Sequence, residues 1–277
     1  MRNLSPLSLL VLTACGGGNS TISSLLTSAS GKVIKGPLNN ALVGLDYDGD
    51  GVVDSATVRT DANGGYSIST TETTYTVIAV TDASTIDTSS GAVLSGVTLK
   101  APEGATVVTP TTTLMKEGNL TVEQVASVLG LPDGVDPLTF NPYADGVSAS
   151  DALAVEKASQ QIMSVVNAFA STAEGAGATE AAAYTAALNS IVEVVKTKAA
   201  SSETLDLTST ADLALIKTQA KTEMASTSGV NTTAFDALAD DTATAVENVN
   251  TKIDSITDTD LTSDASKNIF STTQVLA

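Results

Sequence analysis

From residue 31 onward the apolar positions of the chain alternate with polar ones over short runs. Residues 32–36, 41–45, 56–60, 66–69, 75–80, 93–94, 97–99 and 106–108 each read as a strand. The run 75–80 (Tyr-Thr-Val-Ile-Ala-Val) is the strongest, because β-branched and aromatic side chains fill it. Residues 61–65 (Asp-Ala-Asn-Gly-Gly) form a turn, since Asn and Gly tolerate positive φ. Many short strands separated by polar turns predict a β-sandwich over residues 31–110.

After Thr109-Pro110 the apolar period lengthens to that of a helix. Thr121-Val-Glu-Gln124 has the form of a capping box opening a short helix that stops at Gly130. Residues 131–146 contain Pro132, Pro137 and Pro142 and read as a loop. Four longer helices follow. Residues 148–173 carry Ile162, Val165, Val166 and Phe169 on one face; residues 179–200 carry Tyr184, Leu188, Ile191 and Val195. A helix capped within 209–212 carries Leu213, Ile216, Ala220 and Met224, and ends at Ser228-Gly229. Residues 231–256 carry Phe235, Leu238, Ala245, Val249, Ile253 and Ile256. No single amphipathic helix buries its own stripe, so short connections predict a bundle over residues 111–277. The fold class expected is therefore α+β, multidomain: an N-terminal β-sandwich followed by an alanine-rich helical bundle. The stripes either pack on one another or engage a second protein.

The N-terminal segment reads as an address. Arg2 supplies a positive start, residues 4–12 a short apolar stretch, and Leu12-Thr-Ala-Cys15 closes it. That run resembles the lipobox of bacterial lipoproteins, which implies cleavage before Cys15 and covalent attachment of lipid, palmitate among its acyl chains, to Cys15. The stretch is shorter than the ~20 apolar residues that span a bilayer. Gly16-Gly-Gly-Asn-Ser20 then begins a flexible tether. The expected organisation is a signal peptide over 1–14, a tether over 15–30, the sandwich over 31–110 and the helical domain over 111–277. Gly16, where an aspartate favours inner-membrane retention, points to the outer membrane of the cell envelope.

Charge and missing residue types narrow the function. Thirty-one acids against 13 basic residues leave a net charge of −18, which repels nucleic acid and anionic lipid surfaces alike. The chain has no histidine, and its one cysteine is the residue that the lipobox resemblance assigns to lipid. That removes Ser-His-Asp and Cys-His catalysis and His-containing zinc sites. No G-x-x-x-x-G-K-[ST] phosphate loop is present. With no Trp and few Tyr, a sugar-stacking platform is hard to assemble. A non-enzymatic protein with no evident small-molecule substrate is expected.

The densest chemistry lies in residues 46–54, Asp-Tyr-Asp-Gly-Asp-Gly-Val-Val-Asp. Calcium takes about six to eight oxygen ligands, and carboxylates at alternate loop positions converge on one point. The expected ligands are Asp46, Asp48, Asp50, the main chain at Val52, and Asp54, with Gly51 allowing the sharp turn. The pattern resembles the calcium loops of dockerins, thrombospondin-type repeats and integrin-type repeats. It departs from an EF-hand: Thr57 stands where the bidentate Glu belongs, and strands flank the loop. A weak structural calcium ion is expected; the competing reading is a solvated acidic hairpin.

The order Gly31-Lys-Val33, Pro37-Leu-Asn-Asn-Ala-Leu-Val43, Thr60-Asp-Ala-Asn-Gly-Gly-Tyr-Ser-Ile68 and Thr74-Tyr-Thr-Val77 resembles carboxypeptidase-regulatory-like and Cna B-type domains. The resemblance covers residues 31–82 and implies a prealbumin-like sandwich. Some Cna B-type domains join a first-strand lysine to a late-strand Asn or Asp with help from an acid; Lys32 or Lys35 with Glu72 would be the counterparts, with no motif to pick the acceptor. Together these features predict a calcium-stabilised surface or envelope lipoprotein acting as an adhesion or spacer module. The alternative is a subunit of an envelope assembly that binds a partner through its helices.

Overall fold

The computed structural model describes residues 27–271. Among the described residues nine strands precede seven helices, an α+β arrangement in which 46% of those residues are helical and 16% in strands. Strand β1 (Thr27–Val33) lies in the middle of one sheet. It pairs antiparallel with β5 (Gly65–Thr70) from Thr27↔Thr70 to Lys32↔Gly65, and parallel with β9 (Val107–Val108). The strand begins four residues earlier than Gly31, inside the stretch read as tether. Ala29 is buried there opposite Ile68, so residues 27–30 have an apolar reason to pair.

A second sheet runs β4 (Val58–Arg59), β3 (Leu42–Asp46), β6 (Thr76–Val80), β8 (Thr98–Ala101), all antiparallel. Alternation does the work expected of it: Val43 pairs with Ala79 and Leu45 with Val77, and all four side chains are buried. A two-stranded ribbon joins β2 (Leu38–Asn39) to β7 (Ile86–Asp87).

The outer edge of β8 is covered by helices rather than left to solvent. Helix α1 (Pro110–Gly118) starts on a capping box between Thr109 and Thr112, with proline in its first turn. Its Thr112 hydroxyl donates to Lys100 O at 2.8 Å, and its Thr113 hydroxyl accepts from Lys100 N–H at 2.9 Å. The Tyr184 hydroxyl donates to Thr98 O at 2.7 Å. Side chains thus satisfy backbone groups that an exposed edge would offer to another chain.

Helix α2 (Val122–Val128) carries the capping box read from Thr121 and Gln124. Helices α3 (Ala149–Gly175), α4 (Glu180–Ser201), α5 (Thr210–Ser226) and α6 (Thr232–Asp254) form a closed ring: α3 packs on α4 and α6, and α5 packs on the same two. Ser148, Thr179 and Asn231 cap three of them through their side chains, while Ser209 makes no such bond to α5. A short α7 (Asp264–Ser271) lies on α6.

The apolar faces expected of α3, α4 and α5 are buried as read. The face expected of residues 231–256 is buried only in part: Phe235, Ile253 and Ile256 are buried, and the other three members are not. Leu238 is 49% exposed, and Ala245 and Val249 are only half buried. The inward stripe is Phe235, Ala239, Thr242, Val246, Asn250 and Ile253. Two polar residues turn the helix. Thr242 shares a hydrogen bond with Thr172 of α3 at 2.8 Å. Asn250 accepts from the Ser164 hydroxyl and donates to Leu207 O at 2.8 Å. Satisfied in this way, a polar side chain can occupy a core position that hydropathy assigns to an apolar one.

One hydrophobic cluster runs through both parts of the chain, from Ala29, Val43 and Leu99 of the sheets to Phe169, Ile191, Ile216 and Phe235 of the bundle. A small second cluster joins Ala152 and Leu153 to Ile253, Ile256, Leu261 and Phe270.

Candidate functional site

The loop after β3 brings three of its acids together. Oxygens of Asp46, Asp48 and Asp50 lie within 4.8 Å of one another, a cluster that can hold a metal ion. Asp46 is buried at the end of β3, whereas Asp48 and Asp50 are exposed. Backbone N–H groups aim the carboxylates. Gly49 N–H donates to Asp46 Oδ1 at 2.7 Å and Gly51 N–H to Asp46 Oδ2 at 3.0 Å. Asp50 N–H donates to Asp48 Oδ1 at 3.1 Å, and Val52 N–H to Asp50 Oδ1 at 2.7 Å. Gly51 has φ +87°, the left-handed turn expected of it. Each carboxylate oxygen has two lone pairs, so one donated N–H leaves capacity for a cation.

The other two expected ligands sit at the base of the loop. Asp54 is outside the cluster; its Oδ2 accepts from Tyr47 N–H at 2.7 Å. Val52 is 62% exposed. The N–H groups of Asp54 and Ser55 both donate to Leu45 O, and Leu45 N–H donates to Ser55 Oγ, which closes the loop onto β3. A hard oxygen donor set on a loop whose turns are already formed suits a divalent cation of the calcium type.

A second concentration of charge lies in the interior. Lys35, Asp87 and Glu156 are each fully buried. Lys35 sits in the tight turn between Ile34 and Pro37, Asp87 in β7, and Glu156 on α3. Lys35 Nζ is 4.0 Å from Asp87 Oδ2. Glu156 Oε1 accepts from Gln160 Nε2 at 2.6 Å, while its Oε2 meets no hydrogen-bond partner. The Tyr143 hydroxyl is buried beside Glu156 and Ser89 without reaching hydrogen-bond geometry to either. Burial pushes the Glu156 carboxyl up to about 7, with the neighbouring Asp87 adding to the rise and Gln160, Lys35 and Tyr143 opposing it. Burial lowers the Lys35 ammonium, against the attraction of Asp87 and Glu156. Glu72, the acid picked from the sequence, is exposed in the turn after β5 and has no place in this cluster.

Cys15 and the segment expected to be a signal peptide lie outside the described residues. Among the described residues, no helix is long and apolar enough to cross a membrane. No protein-family profile, curated protein or solved structure matches the chain.

Proposed function

We propose that this is a lipid-anchored protein of the bacterial cell envelope, held through Cys15, whose sheets form a prealbumin-like β-sandwich stiffened by calcium. Its role is mechanical or adhesive rather than catalytic: a spacer or adhesion module on the outer membrane. The observation that carries this reading is the convergence of Asp46, Asp48 and Asp50 on one point of a turned loop. Sites of this openness bind calcium at roughly 10⁻⁴–10⁻³ M, which suits a compartment where calcium is plentiful.

Calcium at about 10 mM should then stabilise the folded chain by about 1.4–2.7 kcal/mol, through mass action on a site of that affinity. Calorimetric titration and thermal melts with and without calcium measure it directly. The variant Asp48→Asn with Asp50→Asn should lose both the heat and the melting shift. A wild-type protein that gives neither at millimolar calcium sinks the proposal.

A second reading rests on Leu215 of α5 and Leu238 of α6, large apolar side chains that are 50% and 49% exposed on neighbouring helices. On this reading the bundle binds a partner in an envelope assembly. Leu215→Ser with Leu238→Ser should leave the melting temperature nearly unchanged and abolish any self-association. Sedimentation that finds wild type and variant equally monomeric removes a homo-oligomeric version of it.

A further inference from the structure

We propose that Glu156 of α3 is a pH-operated latch: while it carries a proton it holds the loop around Tyr143 and the small second apolar cluster in place, and when it ionises that unit opens while the main core stays folded. The latch depends neither on the calcium loop nor on the anchor.

Four segments close over this point. Lys35 comes from the turn before β2, Asp87 and Ser89 from β7 and the turn after it, Tyr143 from the loop between α2 and α3, and Glu156 from α3 itself. Glu156 is fully buried. Its Oε1 accepts from Gln160 Nε2, one turn along the helix, at 2.6 Å. Its Oε2 and the Tyr143 hydroxyl are both shut away from water without a hydrogen bond. An ionised Oε2 would hold negative charge in a dry place with no donor against it, whereas the protonated carboxyl is neutral and far cheaper to bury. Closure and the proton therefore go together.

The groups around Glu156 set the balance. Asp87, from the ribbon, adds a like charge; Gln160 on its own helix, Lys35 from the turn and Tyr143 from the loop oppose it. Helix α6 meets α3 along another flank, where Lys157 Nζ donates to Asp254 O at 2.6 Å and Gln161 Nε2 to Asn250 O at 3.3 Å. Burial outweighs the rest and leaves the carboxyl at about 7 in the closed state.

What the latch holds is separable from the main core. Tyr143 packs on the cluster of Ala152, Leu153, Ile253, Ile256, Leu261 and Phe270, which is distinct from the one running through sheets and bundle. Ala152 and Leu153 stand about one turn before Glu156 on α3. The loop at Tyr143 is pinned by short-range bonds: Asn141 Oδ1 accepts from Tyr143 N–H at 2.9 Å, and Asn141 O from Ala144 N–H at 3.1 Å. A segment secured by local bonds and a small apolar cluster opens at lower cost than a laddered sheet.

The closed state keeps its proton up to about pH 7, while in the open state the carboxyl returns to water and to its ordinary 4.5. Opening thus becomes easier as pH rises from 4.5 to 7 and levels off above that. Between pH 5 and pH 8 the open fraction of the unit should rise about 70-fold.

Native-state hydrogen exchange of the full chain tests this, with each rate divided by the intrinsic rate at its pH. Residues 141–153 and 256–270 are expected to lose about 70-fold of their protection between pH 5 and pH 8. They should also exchange faster than residues 42–46 of β3 and 186–195 of α4. At pH 8, about 1 M urea should leave exchange in the unit nearly unchanged and speed that of β3 and α4, because a small opening exposes little new surface. Glu156→Gln has no proton to lose, so protection of the unit should stay level across the range. Two results would overturn the latch. In one, the wild-type unit matches the core in rate and urea response, and so opens only with the whole molecule; this result needs no variant. In the other, Glu156→Gln shows the full pH-dependent loss, and other groups drive the opening.

Discussion

Replacing Phe169 by alanine is expected to lower the unfolding free energy by about 3–5 kcal/mol, the largest effect of any single truncation in the bundle. Phe169 of α3 and Phe235 of α6 are both fully buried, with ring centroids 6.4 Å apart and planes inclined by 39°. The hydrophobic cluster that holds both rings is rich in alanine: Ala170 and Ala173 on α3, Ala183, Ala186 and Ala187 on α4, and Ala239 on α6. Such side chains cannot swing in to fill the space a phenyl ring leaves, so the cavity stays open and the cost lies towards the upper end of the range. Because one apolar cluster spans sheets and helices, the loss should appear in both together. Denaturant titration followed by helical circular dichroism and by the fluorescence of the tyrosines, with no Trp to mask it, should give one shared and lowered midpoint. A helical transition that shifts while the tyrosine signal stays in place would mean that the two parts unfold separately.

The second large effect concerns pH. The Glu156 carboxyl is held at about 7 in the folded chain against an ordinary 4.5. Over this interval the folded state keeps a proton that the unfolded state gives up, so stability falls as pH rises. The contribution is complete below about 4.5 and is lost once the pH passes 7. Between pH 5 and pH 8 the fall from this group is about 2–3 kcal/mol. The groups that face it are Asp87, which adds to the rise, and Lys35 and Tyr143, which oppose it. Glu156→Gln retains the shape and the contact with Gln160 but has no proton to lose. Urea titrations at the two pH values should show the fall in wild type and a much flatter response in the variant. Equal slopes would show that the wild-type dependence comes from other carboxylates.

What the sequence made legible was local. The capping box at Thr121 needs only a few neighbouring residues and is where the pattern placed it, and the helices expected from 148, 179 and 231 do start there, on side-chain caps, whereas the cap expected within 209–212 makes no side-chain bond from Ser209. The trio Asp46, Asp48 and Asp50 was readable for the same reason: alternate positions of one turn must converge. The inward face of α6 was readable only in part. Its polar members are explained only by Thr172, Ser164 and Leu207, which belong to other segments. The buried charge cluster was out of reach for a stronger version of that reason. Lys35, Asp87 and Glu156 come from a turn, a two-residue strand and a long helix, far apart in the chain. The lysine itself was noted, but nothing near it in sequence named its partners. The one local sign was the Lys35-Gly36 pair, whose positive φ marks a turn but gives no hint of its burial.

The place of β1 in its sheet bears on how the molecule carries load. Tension arriving from the N-terminal side enters at Thr27, on a strand laddered to β5 from its first residue and flanked by β9 as well from Lys32. An edge strand can peel away one bond at a time. A central strand hands the pull to neighbours on both sides, so several bonds must yield together before the sheet gives way. On the anchoring proposed above, the residues from Thr27 onward are also where the protein best resists being drawn out.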